Sequence, residues 1–198
     1  MKPPLKPAFR LGLTGSIGMG KSTTAAMFAA QGVPVWAADA AVHHLYAAEG
    51  AAVAAVAALF PPAVQDAAID RAILKTIIAT DTTALARIEA IVHPLVAADR
   101  ARFLADTQAD IVVLDIPLLF ETGSDAQMDA TLLVTAPADL QRARVLARPG
   151  MTAAQFQTLL ARQMPDAEKR RRATHIVETL DQPSVRAYVS ALLAHLRR

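Results

Sequence analysis

Gly15, Gly20, Lys21 and Ser22 fall at the spacing GxxxxGK[ST] inside "GLTGSIGMGKST". Each residue type there has a physical job in holding a phosphate chain. Glycines let backbone N–H groups approach an anion where a Cβ would intrude, and a helix opening just after the loop adds unsatisfied donors and the positive end of its dipole. Lys21 adds a full charge, and the Ser22 hydroxyl is an oxygen ligand of the kind Mg²⁺ takes. The expected cradle runs through Gly15, Ser16, Ile17, Gly18, Met19, Gly20, Lys21, Ser22 and Thr23, and its expected occupant is a nucleoside triphosphate.

Further polar residues stand where they could complete such a site. Asp39 closes the apolar run "VPVWAAD", where a carboxylate could meet an acceptor hydroxyl or the Mg²⁺ shell, or else cap the helix that follows. Asp115 closes "DIVVLD" and could reach Mg²⁺ directly or through water, or simply end its strand. Arg144 and Arg148, four residues apart on an expected helix, project from one face. Arg142 lies on another face, and Arg170, Arg171 and Arg172 read as a solvated basic surface. His43 and His44 have no metal-ligand partners at sensible spacing, and Trp36 reads as core.

A phosphate loop works only between a strand and a helix, and the chain supplies both. "FRLGLTG" reads as a buried strand, "KSTTAAMFAAQG" as a helix stopped by Gly32, and "VPVWAAD" as a second strand ending at Asp39. From Ala40 to about Thr107 the pattern is helical throughout, with breaks at Gly50, at Pro61 with Pro62, and at Pro94. "DIVVLDIPLLFE" and "DATLLVTAP" supply two more core strands. A helix with Thr135 as N-cap follows and ends at Pro149 and Gly150, and Thr152 with Gln155 forms a capping box for the next helix. "THIVET" reads as the last strand, and Pro183 opens a closing helix. The expected fold is α/β: a doubly wound parallel sheet of about five strands in the P-loop NTPase manner, with a helical insertion and a helical lid.

Composition narrows the class. The 198 residues are 54% hydrophobic, much of it alanine among polar residues, which reads as amphipathic helix and not as membrane. "MKPPLKPAFR" lacks the apolar segment of a secretory signal, and with no cysteine there is no disulfide framework or thiolate chemistry. A net charge of +2 from 20 basic and 18 acidic residues does not suit a dedicated nucleic-acid binder. The expectation is a cytoplasmic enzyme with a small-molecule substrate, without nucleic acid, membrane or an obligate protein partner. No asparagine occurs, so the NKxD element that reads guanine is excluded, as is an LSGGQ-type transporter signature. A small-molecule kinase fits best, with a nucleotide kinase or a triphosphate-driven protein switch as alternatives.

The chain resembles the dephospho-coenzyme A kinase family over nearly its whole length. The resemblance rests on "LTGSIGMGKST", on Asp39 followed by a short helix, on "VHPLV" around His93, on "LDIPLLFETG", and on "RVLARPGMT" leading into "ARQMPDAEKRRRA". It implies transfer of the γ-phosphoryl of ATP to the ribose 3′-hydroxyl of dephospho-coenzyme A, with Mg²⁺. It also implies three parts: a nucleotide-binding core (8–39, 108–136 and 173–198), an acceptor-binding helical insertion (40–107) and a lid (137–172). Lys21, Asp39, Arg144 and Arg148 become the implied catalytic residues, with Asp39 orienting the acceptor or serving as its base. His93, Leu118, Leu119 and Glu121 join Asp39 at the implied acceptor site, and Ser22 and Asp115 are the implied metal ligands. Three features depart from the family pattern. Ala37-Ala38-Asp39 replaces the common Asp-Ala-Asp, Met19 replaces a frequent serine, and Glu178-Thr179-Leu180-Asp181 replaces an Asn- and Gly-containing segment near the adenine.

Overall fold

The structure, a computed structural model, describes residues 7–198; Met1–Lys6, part of the stretch read above as lacking a leader, lies outside the described residues. Strand β1 (Phe9–Thr14) runs into the glycine loop and helix α1 (Lys21–Ala29) leaves it. β2 (Val35–Ala37) then passes directly into α2 (Ala38–Tyr46). After α3 (Val53–Leu59) come a short hairpin of β3 (Val64–Gln65) and β4 (Ala68–Ile69), then α4 (Arg71–Thr80) and the long α5 (Ala84–Asp106). β5 (Ile111–Asp115) and β6 (Ala130–Thr135) precede three helices, α6 (Ala138–Leu146), α7 (Ala153–Ala161) and α8 (Asp166–Arg172). β7 (His175–Glu178) and α9 (Gln182–Leu196) close the chain.

Two compact units result: the chain up to Val35 together with Gln108–Arg198, and Trp36–Thr107. Five strands line up as β2-β5-β1-β6-β7, with β1 parallel to both β5 and β6, and β6 parallel to β7; all but β2 belong wholly to the first unit, and of β2 only Val35 does. The inner strands carry unbroken apolar runs because both faces of the sheet are covered. All of β5 and β6 is buried, and Leu11, Leu13, Val113, Leu132 and Val134 pack with Met27 and Phe28 of α1 and Val185, Val189 and Leu193 of α9. The second unit has its own core, in which Leu45, Val56, Phe60, Leu74, Ile88 and Val92 come together.

Helix ends follow local chemistry. Asp70 and Asp181 cap α4 and α9 through backbone N–H groups, Pro183 lies in the first turn of α9, and Thr152 and Gln155 make the expected reciprocal capping box.

Four local expectations need correction. The second strand ends at Ala37; the alanines favour helix, so Asp39 falls in the first turn of α2, where the dipole favours an acid. The stretch read as wholly helical contains the β3–β4 hairpin, turned by Asp66 (φ 46°) and Ala67 (φ 60°), both left-handed as a type I′ turn needs. Pro94 does not end a helix but lies inside α5, because Ile88 and Val92 before it and Leu95 and Val96 after it pack on the same cluster. Thr135 stays the last residue of β6, its hydroxyl donating to Asp166, and Pro137 takes the N-cap position of α6.

Candidate active site

The loop between β1 and α1 is moulded by what presses on it. A Cβ on Gly15 would lie 2.4 Å from Val134 Cγ2 and 2.7 Å from the Val134 carbonyl oxygen, so only glycine lets the loop lie against β6. Gly18 (φ 79°) and Gly20 (φ 88°) hold the left-handed turns that bring the loop round to α1. Met19 is buried among core residues, its N–H donates to the Ser16 carbonyl at 3.1 Å, and its own carbonyl accepts from Thr179 Oγ1 at 2.8 Å. Its side chain thus faces the core and its polar groups close the turn, which is why methionine serves where serine is frequent.

Lys21, the first residue of α1, forms an ion pair with Asp115 at the end of β5. The parallel register places Asp115 beside Leu13, one residue before the end of β1. Asp115 is 7% exposed, and Ser22, next along α1, is open to solvent. Among the described residues no group of three or more His, Cys, Asp or Glu could hold a metal ion. The Ser22 hydroxyl and the Asp115 carboxylate are hard oxygen donors, the kind of group Mg²⁺ takes alongside phosphate and water.

Beside the loop opens a pocket of about 330 Å³. Gly18 and Gly20 border it on one side, Thr23 and Met27 of α1 on another, and Thr179, Leu180, Asp181 and Gln182 on a third. Arg144 and Arg148 complete the wall. Arg144 is half-buried, and its guanidinium grips a single residue: Nη1 donates to Thr179 Oγ1 at 2.9 Å and Nη2 to the Thr179 carbonyl at 2.5 Å. It is therefore fixed against the pocket wall by two bonds. Arg148 lies past the end of α6, exposed, and so not on the same helical face as Arg144; both nevertheless border the pocket.

Thr179 stands out in the sequence only as part of the segment that departs from the family pattern near the adenine, with no role of its own. Buried at the end of β7, it takes the Arg144 guanidinium, gives its single proton to the Met19 or the Thr135 carbonyl, and lies 3.0 Å from where a Gly20 Cβ would stand. A threonine after a strand carries no spacing signal. Its role follows only from the fold, which brings β7 alongside β6 and the loop.

The "PLLFE" run is mostly structural. Leu119 is fully buried, its Cδ2 2.9 Å from the position of a Gly12 Cβ, so it presents no surface to a ligand and the expectation of acceptor contact is corrected. Glu121 Oε1 accepts from the Met164 N–H at 2.8 Å and pairs with Lys169 Nζ at 2.8 Å. This commits the carboxylate to the segment joining α7 and α8. Leu118 is 40% exposed.

The basic run is solvated only in part, because several of its charges are paired. Lys169 is wholly buried, Arg170 pairs with Asp166 at 2.7 Å and Glu178 at 3.0 Å, and Arg172 pairs with Asp125 while its guanidinium lies 5.0 Å over the Phe120 ring. Arg171 and Arg172 keep the expected exposure, Arg172 while paired with Asp125.

Asp39 and His93 belong to the second unit, on α2 and α5, and both are exposed. The Asp39 carboxylate makes no hydrogen bond or ion pair among the described residues, and its helix takes no side-chain cap. His43 and His44 lie in the last turn of α2, where positive charge suits the helix dipole. Trp36, expected in the core, is buried, with Nε1 donating to Asp99 at 2.6 Å.

A glycine loop leaving the central strand of a parallel sheet, with a lysine and a strand-end carboxylate beside it and a base-sized pocket at its flank, defines a P-loop nucleotide-binding protein. Comparison with known proteins takes this further. The family model for dephospho-CoA kinase (CoaE) matches residues 9–182, and the chain belongs to that family. It is therefore an ATP-dependent kinase. It is 69% identical to the dephospho-CoA kinase of Cereibacter sphaeroides over 189 residues, 96% of each chain. Among solved structures, TT1252 from Thermus thermophilus superposes with a TM-score of 0.86 at 36% identity, covering 96% of this chain and 99% of that one. The dephospho-CoA kinase from Campylobacter jejuni shares the fold, with a TM-score of 0.67 at 20% identity over 96% and 98% of the two chains.

Proposed function

We propose that this protein transfers the γ-phosphoryl of ATP to the ribose 3′-hydroxyl of dephospho-coenzyme A, giving coenzyme A and ADP, and acts in the cytoplasm, where ATP is supplied. The observation that carries the reading is family membership across residues 9–182, joined to a phosphate loop whose lysine and strand-end carboxylate stand together.

The chain's own residues act mainly by positioning and charge, because the transferred group passes through a loose transition state with little covalent work for the protein. The loop N–H groups and Lys21 take the β- and γ-phosphates, and the flank pocket takes the nucleoside, with Arg144 held against Thr179 as part of its wall. Arg148 adds positive charge at the pocket edge, where it can follow the charge on the transferring oxygens. Ser22 and Asp115 would hold Mg²⁺, which when bound neutralises charge on the bridging phosphates. Asp39 orients the acceptor hydroxyl and takes its proton, a role supported by its unpartnered carboxylate on the second unit. His93 and Leu118 contribute to acceptor binding. The second unit holds the acceptor, and the helices between β6 and β7 act as the lid.

The test pairs a substrate with a variant. Purified protein with ATP and Mg²⁺ should release ADP only when dephospho-coenzyme A is added, and much more slowly with nucleoside monophosphates. Asp39→Asn should lower kcat by about 10²-fold or more, the usual range for losing a positioned acid or base, while ATP affinity stays near wild type. ADP release that ignores the acceptor contradicts the activity. Wild-type turnover in the variant removes Asp39 from the mechanism.

A further inference from the structure

The helices between β6 and β7 touch the phosphate loop through two glutamines at a single residue. Gln163, in the connection from α7 to α8, accepts at Oε1 from the Ile17 N–H at 3.1 Å. Gln141, buried on α6, donates from Nε2 to the Ile17 carbonyl at 2.7 Å. Both backbone polar groups of one loop residue are thus gripped by side chains from outside the loop.

The consequence follows from peptide geometry. A trans peptide is planar, so the Ile17 carbonyl and the Gly18 N–H point in opposite directions. Holding that carbonyl on α6 turns the Gly18 N–H away from α6. The Ser16 carbonyl likewise lies opposite the Ile17 N–H, and with that N–H on Gln163 it is turned to accept from the Met19 N–H at 3.1 Å, closing the turn. Glycine cannot enforce either orientation, since Gly18 moves between left- and right-handed φ at little cost. The constraint has to come from the neighbours. Gln163 is itself anchored, because the next residue, Met164, gives its N–H to Glu121, which is paired with the buried Lys169.

We propose that Gln141 and Gln163 are positioning residues that fix the Ile17–Gly18 peptide and so aim the loop's N–H donors at the triphosphate. The proposal rests on the reading that this loop holds ATP. It accounts for two uncharged amides being spent on one loop residue.

The test uses Gln163→Met and Gln141→Met, which keep side-chain length but lose the amide acceptor or donor. ATP binding is followed by calorimetry and adenosine binding by NMR titration, with melting temperatures checked for each variant. Each variant should raise the Kd for ATP about tenfold, the worth of one hydrogen bond to the cradle, while the Kd for adenosine stays within about twofold. An unchanged ATP Kd in a folded variant overturns the proposal. So does a loss for adenosine in step with ATP, which is what a merely structural role would give. Gln163 is half-exposed, so its variant serves if the buried Gln141→Met fails to fold. Wild-type protein that binds no ATP would instead contradict the assignment of the loop.

Discussion

At the scale of single residues, the site depends on polar groups whose value comes from their neighbours. Lys21 and Ser22 stood out because charge and hydroxyl at fixed spacing around glycines suit a phosphate, and Asp115 because it closes an apolar strand; the fold brings Lys21 and Asp115 together. Thr179, Gln141 and Gln163 showed no role of their own, because an uncharged polar side chain after a strand or on an amphipathic helix matches many surroundings. Thr179→Val tests the difference. It keeps the shape but leaves the Arg144 Nη1 and the Met19 carbonyl each short of a partner. The expected cost is roughly 1–3 kcal/mol of stability, read from urea unfolding, together with a raised KM for ATP as the pocket wall loosens. Unchanged unfolding and unchanged KM would show that neither contact matters.

At the scale of elements, the helices between β6 and β7 are tied to the sheet more firmly than the basic run in the sequence suggests. "DAEKRRRA" looks solvated on its own, and what buries Lys169 is Glu121 from a distant loop. No local pattern contains that pairing. Glu121 is largely buried, with 16% of its side chain exposed, so Lys169→Met should strand a carboxylate and cost roughly 3–5 kcal/mol. Adding Glu121→Gln should recover part of the loss, and failure to recover would argue against the pair as its cause. The join of β7 and α9 carries a pH signature. Burial, and then the nearby His195, hold His175 below its ordinary value of 6.5. The unfolded chain therefore takes the proton more readily, so stability is level above about pH 6.5 and falls as the pH drops below it. Melting temperatures from pH 8 to pH 5 should show this decline, and it should be flatter in His175→Gln. An identical slope in the variant would assign the decline elsewhere.

At the scale of the whole molecule, the strands were readable because a sheet covered on both faces demands unbroken apolar runs, and β5 and β6 are such runs. The insertion was readable as helical for the complementary reason, a periodic pattern with no such run, apart from a hairpin turned by Asp66 and Ala67 without the glycine that usually marks it. Among the described residues no helix is long and apolar enough to cross a membrane. The chain forms two compact units, one with the phosphate loop and one with Asp39. The direct measurement is to follow the transferred phosphoryl group. ATP labelled with ¹⁸O in its γ-phosphoryl should be incubated with the protein, Mg²⁺ and dephospho-coenzyme A, and the product examined by mass spectrometry and phosphorus NMR. The account predicts coenzyme A with the label in its ribose 3′-phosphate and unlabelled ADP. Label found only in inorganic phosphate, or at any other hydroxyl, would contradict it.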